Sequence, residues 1–241
     1  VTDSGNLIFE KVFVITVEEF NEAPTDLLLS NNSVAENSPI GTAVGTFTAV
    51  DSNSGETFTY TLVTGVGDDD NGSFSISGDE LQTGAVFNFE TKNTYTIRVR
   101  VTDTGGLFIE LPFSITITDV NDAPTVANPI PNQNISQNDS FSFLVPDNTF
   151  EDADNDFLTY SAQLAVGGAL PVWLSFDADT RTFSGTPLNS NVGTVSIDVI
   201  VNDGRGGTVT DTFDITVANV NDAPTVANPI PDQNATEDVA F

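Results

Sequence analysis

Short alternating runs of apolar and polar residues cover almost the whole chain, and none carries a helical period of useful length. Leu7-Ile8-Phe9 and Val12–Val17 alternate with polar neighbours, the signature of half-buried strands joined in a hairpin. The same two-strand pattern returns as Tyr95–Val101 with Leu107–Thr118, and again as Val195–Val201 with Val209–Val217. Further runs lie between these closing pairs, at Val44–Val50, Phe58–Leu62, Phe74–Ile76, near Leu81, and at Phe141–Val145 and Phe157–Ala162. In Val44–Val50 the valines and Phe47 are expected on the face opposite the threonines and Ala49. Glycines at the hairpin tips (Gly5, Gly105-Gly106, Gly204, Gly206-Gly207) suit turns that require positive φ. Strands of this length, punctuated by Gly, Asn, Asp and Ser, predict an all-β sandwich.

The pattern repeats. Val1-Thr2-Asp3, Val101-Thr102-Asp103 and Val201-Asn202-Asp203 recur at a period of one hundred, as do Asn21, Asn121 and Asn221. The string N-D-A-P-T-V-A-N-P-I-P is identical at Asn121–Pro131 and Asn221–Pro231. Such a period is too long for a solenoid and suits a whole sandwich domain. The expected division is the last two strands of a preceding repeat over 1–22, full repeats over 23–122 and 123–222, and the first strand of another over 223–241. The second full repeat differs in its middle, where Leu170–Asp177 reads L-P-V-W-L-S-F-D and Thr182–Pro187 reads T-F-S-G-T-P. Trp173 lies in that alternating run, so it is expected in the core and not as a sugar-stacking platform.

Charge narrows the partners. With 35 acidic against 6 basic residues, the formal net charge of −29 repels nucleic acid and anionic membranes. Disorder is the bland reading of such acidity, and 39% hydrophobic residues argue against it. The absence of Cys and His excludes disulfides, zinc–thiolate sites and Ser-His-Asp or Cys-His machinery. Acid pairs are inevitable among 35 carboxylates, so they give a glycosidase reading no weight, and an enzyme is not expected. No stretch approaches the roughly 18 apolar residues of a membrane helix. The chain lacks Met and begins inside a strand pattern, so it reads as an excerpt of something longer. Sequons at Asn31, Asn71, Asn134, Asn138 and Asn234 read as Asn- and Ser-rich loops.

One string stands out as chemistry. D-V-N-D-A-P at Asp119–Pro124 returns as N-V-N-D-A-P at Asn219–Pro224 and is foreshadowed as E-F-N-E-A-P at Glu19–Pro24. A hard-cation site built from oxygen ligands at a domain junction is the simplest physical reason to repeat it. Isolated EF-hand loops do not fit: the run from Asp152 has Phe157 and Gln163 at the sixth and twelfth positions, and the run from Asp51 has Glu56 and Leu62. Asp68-Asp69-Asp70 has no partner cluster in sequence and reads as a solvated loop.

Residues 23–122 resemble a cadherin repeat through Ala35-Glu36-Asn37, Asp51-Ser52-Asn53, Asn88-Phe89-Glu90, Val101-Thr102-Asp103 and the D-V-N-D linker. Residues 123–222 resemble the dystroglycan-type cadherin-like module of large bacterial surface and secreted proteins, through P-V-W-L-S-F-D, F-S-G-T-P and Asp152-Ala153-Asp154. The resemblance implies tandem Greek-key, immunoglobulin-like sandwiches in a linear rod, with Ca2+ at the junctions. It implies Glu36, Glu90, Asp119, Asn121, Asp122, Asp152, Asp154 and Asp203 at the central junction. At the N-terminal junction, incomplete here, it implies Glu19, Asn21, Glu22, Asp51, Asn53 and Asp103. At the C-terminal junction it implies Asn221 and Asp222, where Gln137 replaces the Glu36 type and Asn219 the Asp119 type, so fewer charges predict weaker binding. Asn88 and Ala123 stand where the family usually has Asp and Asn. The implied role is a calcium-rigidified extracellular adhesin repeat at a cell surface, with neighbouring repeats as partners and no direct membrane contact by this segment. The alternative is a calcium-dependent module for homophilic protein contact or polysaccharide.

Overall fold

The computed structural model describes residues 1–232, 234 and 237, except 3 and 18. It divides into two compact units, Val1–Val120 and Asn121–Phe241. Among the described residues each is built from β-strands, with a single 3-10 turn at Asn71–Ser73 in the first and at Asn189–Asn191 in the second.

The first unit contains β1 (Asp26–Leu29), β2 (Ser33–Ala35), β3 (Ala43–Val50), β4 (Thr59–Leu62), β5 (Phe74–Ser77), β6 (Glu80–Thr83), β7 (Thr94–Thr102) and β8 (Phe108–Thr118). They form two four-stranded sheets, ordered β1-β3-β6-β5 and β2-β8-β7-β4. The first edge segment serves both sheets: β1 runs antiparallel to β3, then β2 runs parallel to β8. Period-two alternation places Ile97, Val99 and Val101 of β7 and Ile115 and Ile117 of β8 in the core, where Phe47, Phe74, Leu81 and Phe87 fill the space between sheets.

The second unit repeats the plan with β9 (Thr125–Val126), β10 (Gln133–Ser136), β11 (Phe141–Leu144), β12 (Phe150–Glu151), β13 (Thr159–Leu164), β14 (Leu174–Asp177), β15 (Thr182–Gly185), β16 (Gly193–Asn202) and β17 (Thr208–Ala218). Its sheets are β10-β17-β16-β13 and β11-β15-β14, with β9 paired to β12, and β10 is parallel to β17. Ile197, Val199, Val201, Phe213 and Ile215 meet Phe141, Phe150, Leu174 and Phe183 in its core. Trp173 packs against this core edge-on to Phe141, at 6.3 Å between ring centroids.

Several local expectations are corrected. A register shift between Ala43 and Gly45 breaks strict alternation in β3, so Val44 and Phe47 turn inward while Val50 faces out, 43% exposed. Phe157 lies ahead of its strand and is 84% exposed. No strand forms among the described residues of 1–22: Thr2 and Ile8 make one isolated bridge, and apolar residues from Leu7 to Phe20 stay exposed. A lone hairpin is marginal in water without a third strand or a covering layer. Residues 223–232 also form no strand, and the rest of the strand expected over 223–241 lies mostly outside the described residues. Asp68-Asp69-Asp70 is a structural loop: Asp70 accepts from the Thr96 amide at 2.8 Å and pairs with Lys92, while Asp68 accepts from the Gly65 amide. Of the sequon residues, Asn31 and Asn71 donate their side-chain amides to the Val44 and Val63 carbonyls.

On the outward face of β7 and β8, Glu110 accepts from Arg98 Nε at 3.1 Å and from Arg100 Nη2 at 2.6 Å. Hydrogen bonds from Arg100 and then Arg98 hold the Glu110 carboxyl below its ordinary pKa. The contribution to stability is therefore present above the unfolded Glu pKa of about 4.3 and is lost as pH falls through the lower folded value. A carbon-detected NMR titration is expected to give Glu110 a midpoint below that of an exposed glutamate, and Arg100→Gln is expected to raise it.

Candidate metal centre

The core stripes end in acids. After Ile97, Val99 and Val101 the next inward position is Asp103, 6% exposed; after Ile197, Val199 and Val201 it is Asp203, 4% exposed. Period two therefore delivers a carboxylate to the end of each sandwich, where β7 and β16 stop.

At the leading end of the first unit, Asp103 accepts from the Leu107 amide at 2.8 Å and from Asn21 Nδ2 at 3.1 Å. Asp51, directly after β3, accepts from the Asn53 amide through Oδ1, while its buried Oδ2 has no hydrogen-bond partner. Asn53 accepts from the Glu22 amide at 2.8 Å and donates to the Phe20 carbonyl at 2.8 Å. The structure thus draws Asn21, Glu22, Asp51, Asn53 and Asp103 together, while Glu19 is exposed.

At the trailing end of the same unit, Glu36 is 2% exposed and accepts from the amides of Phe89 at 2.7 Å and Val120 at 2.9 Å. Carboxylate oxygens of Glu90 lie within 4.8 Å of one on Glu36 and of one on Asp119. Asn88 caps the turn by accepting from the Thr91 amide at 2.7 Å.

The second unit repeats the leading-end geometry. Asn121 Nδ2 donates to Asp203 Oδ2 at 2.9 Å, and the Asp122 amide donates to Asp154 Oδ2 at 2.7 Å. Asp203 Oδ1 also accepts from the amides of Arg205, Gly206 and Gly207 at 2.7, 2.9 and 3.0 Å. The Asn121 hydrogen bond, with these amides, holds the Asp203 carboxyl below its ordinary pKa against the upward push of burial. Oxygens of Asp152, Asp154 and Asp156 lie within 4.8 Å of one another. Asp152 Oδ2, Asp156 Oδ2 and Asn121 Oδ1 are buried and have no hydrogen-bond partner.

Asp156 was not expected as part of this group. It pairs with Arg205 through Oδ1 at 2.9 Å and leaves Oδ2 buried without a hydrogen-bond partner. The alternation Asp152-Ala153-Asp154-Asn155-Asp156 held the signal, but the failed EF-hand pattern obscured it. At the trailing end of this unit Asn221 is exposed, and Asp222 accepts from Gln137 Nε2 at 3.0 Å.

The donor set is all oxygen, mostly carboxylate, and several of its atoms are withdrawn from water without a proton donor. Such atoms call for a partner from outside the chain, a cation or an ordered water, since leaving a buried acceptor unpaired costs about 1–3 kcal/mol, and more when it is charged. The residues fit a hard divalent cation of calcium type.

Two tip glycines serve this geometry through their lack of a side chain. A Cβ on Gly105 would stand 2.3 Å from Asn21 Nδ2, and one on Gly207 would stand 2.2 Å from Asp203 Oδ2 and 2.7 Å from Ala123 Cα. Gly207→Ala is therefore expected to destabilise the second unit by about 1–3 kcal/mol, measured by denaturant unfolding.

Residues 30–118 match the cadherin domain family model, and residues 123–218 match the Ig-domain model He_PIG. Human protocadherin beta-1 is 32% identical over 136 residues, covering 50% of this chain and 16% of its own length. Rat cadherin-17 is 35% identical over 118 residues, covering 46% of this chain and 14% of its own length. The chain thus spans less than a fifth of either relative. Among solved structures, the protocadherin gamma B2 extracellular cadherin domains 1–5 superpose with a TM-score of 0.54 at 17% identity, covering 84% of this chain and 42% of that one. Mouse cadherin-23 EC22-24 gives 0.51 at 21% identity, covering 81% and 65%. These likenesses establish the tandem cadherin-type β-sandwich fold.

Proposed function

We propose that this chain is a pair of extracellular adhesion repeats whose ends bind Ca2+, and that it acts as a mechanical element without catalysing a reaction. The observation that carries the reading is the set of buried, unpartnered oxygens on Asp152, Asp156 and Asn121, and on Asp51 at the matching end of the first unit. Residues 123–222 are read as the dystroglycan-type module, whose P-V-W-L-S-F-D and F-S-G-T-P strings form the β14–β15 hairpin.

Asn121, Asp122, Asp152, Asp154, Asp156 and Asp203 are the proposed ligands on the second unit; Glu36, Glu90 and Asp119 are proposed to complete that junction from the first. Asn21, Glu22, Asp51, Asn53 and Asp103 form the lesser set at the chain's start, with Asn53 where the second unit has Asp154. Calcium, when bound, supplies positive charge and six to eight flexible coordination positions; magnesium dehydrates reluctantly and suits ligands gathered from several loops less well. The chain's residues do the positioning. Asn121 and Asn21 tie each linker to its inward aspartate, and the amides after Asp203 fix that carboxylate. Without a counter-ion, like charges about 4 Å apart repel by several kcal/mol at an interface-like dielectric, which loosens the linkers. With it, successive sandwiches hold one orientation as an extended spacer in a surface protein.

A thermal melt in EDTA, in Ca2+ and in Mg2+ tests this. Calcium at 1,000 times its Kd is expected to stabilise the fold by about 4 kcal/mol per site, with a markedly smaller effect of Mg2+; equal curves in all three sink the reading. Asp152→Asn is expected to melt higher than wild type in EDTA, because like-charge repulsion is relieved, yet to gain less from calcium. A variant that loses stability in EDTA and keeps the full calcium shift would remove Asp152 from the site.

A further inference from the structure

The two units treat the trailing end of the first edge segment in opposite ways. After β2, the Glu36 amide donates to the Thr118 carbonyl at 3.0 Å; after β10, the Gln137 amide donates to the Ala218 carbonyl at 3.0 Å. The next residues, Asn37 and Asn138, have φ of 57° and 67°. Both Glu36 and Gln137 are 2% exposed. Backbone and burial match, so the side chain alone makes the difference.

Glu36 can only accept, and takes the Phe89 and Val120 amides. Gln137 instead donates, from Nε2 to the Val220 carbonyl at 3.2 Å and to Asp222 Oδ2 at 3.0 Å, while its Oε1 finds no partner. The amide orientation follows from the neighbours. Exchanging its oxygen and nitrogen would set a carbonyl oxygen against both the Val220 carbonyl and the Asp222 carboxylate. The N–H that holds Asp222 also occupies one acceptor position of Oδ2 that a cation would otherwise use.

We infer that Gln137 is the residue that makes the trailing end of the second unit a metal-independent clamp, its side-chain amide holding Val220 and Asp222 in the role that Ca2+ fills at the carboxylate-lined ends. The contrast with those ends rests on the proposed function; the clamp itself stands on the amide geometry. Gln137, together with Asn219 in place of the Asp119 type, thereby sets this end apart from the ends that are read as responding to calcium. The nearest equivalent, Glu36, differs from it only by an oxygen in place of an amide nitrogen.

NMR on the full 241-residue chain separates the two ideas. The Gln137 side-chain amide protons are expected to exchange at least about tenfold more slowly than those of an exposed glutamine, equally in EDTA and in saturating Ca2+. Protection that appears only with Ca2+, or is absent in both, overturns the clamp. In Gln137→Glu, which loses both donors and adds a carboxylate, backbone resonances of residues 219–222 are expected to shift saturably with Ca2+, as they do not in wild type. If they stay blind to calcium, Gln137 is not the discriminating residue. Asn121 and Asp203 resonances, followed in the same titration, report on the calcium reading separately: if they do not move, that reading fails while protection of Gln137 in EDTA still supports the clamp.

Discussion

Carboxylate oxygens withdrawn from water at the ends of β-sandwiches are the constraint around which this chain is arranged. A sandwich of this size ordinarily ends its strands in solvated polar residues. Here the inward stripe of β7 continues into Asp103 and that of β16 into Asp203, both nearly buried. The backbone meets part of the demand, with the amides of Arg205, Gly206 and Gly207 pointing at one oxygen of Asp203 and the amides of Phe89 and Val120 at Glu36. Linker asparagines meet another part. What remains, on Asp51, Asp152, Asp156 and Asn121, has no donor among the described residues.

The hydrophobic core makes this tolerable because it fixes the acids without involving them. Ile197, Val199, Val201, Phe213 and Ile215 are essentially inaccessible, so the ends of β16 and β17 have little freedom to swing a buried aspartate back into water. The glycines complete the geometry by omission: Gly105 and Gly207 leave space for Asn21 and Asp203 that a methyl group would fill. Their sequence position at hairpin tips suggested a need for positive φ, but close approach is the feature the structure displays at these two. Positive φ belongs to their neighbours Gly106, Gly204 and Gly206.

The strands were legible because period-two alternation is imposed by burial of one face, and β7, β8, β16 and β17 obey it over their inward positions. It failed where something other than burial set the backbone. The irregularity between Ala43 and Gly45 put Val44 and Phe47, three positions apart, on one face and turned Val50 outward. The apolar run of residues 7–20 looked like strands, but alternation cannot supply the second layer that strands need. In the candidate site, the repeated linker strings led to Asn21, Asn121 and Asp122, and the repeated V-T-D and V-N-D strings to Asp103 and Asp203; their contacts recur at the leading ends of the two units. Asp156 escaped notice behind the failed EF-hand pattern, and its partner Arg205 because an ion pair between a loop after β12 and the β16–β17 turn leaves no local periodicity.

Fold and charge are thus written at different positions. The inward stripes specify the sandwich in both units with nearly the same residues. The ends are then tuned by substitutions that leave the backbone as it was. Asn53 and Asp154 each accept an amide from their linker at 2.8 and 2.7 Å, although only one carries a charge. Glu36 and Gln137 occupy equally buried positions with the same backbone hydrogen bond, although one can only accept and the other donates. A carboxylate and its amide are nearly equal in volume, so core stability does not distinguish them. Electrostatics does, since one adds a charge that needs an external partner and the other brings its own donor. If the ends bind calcium as proposed, a chain of such repeats varies the ionic dependence of each end through these few positions, without disturbing the sandwiches that carry it.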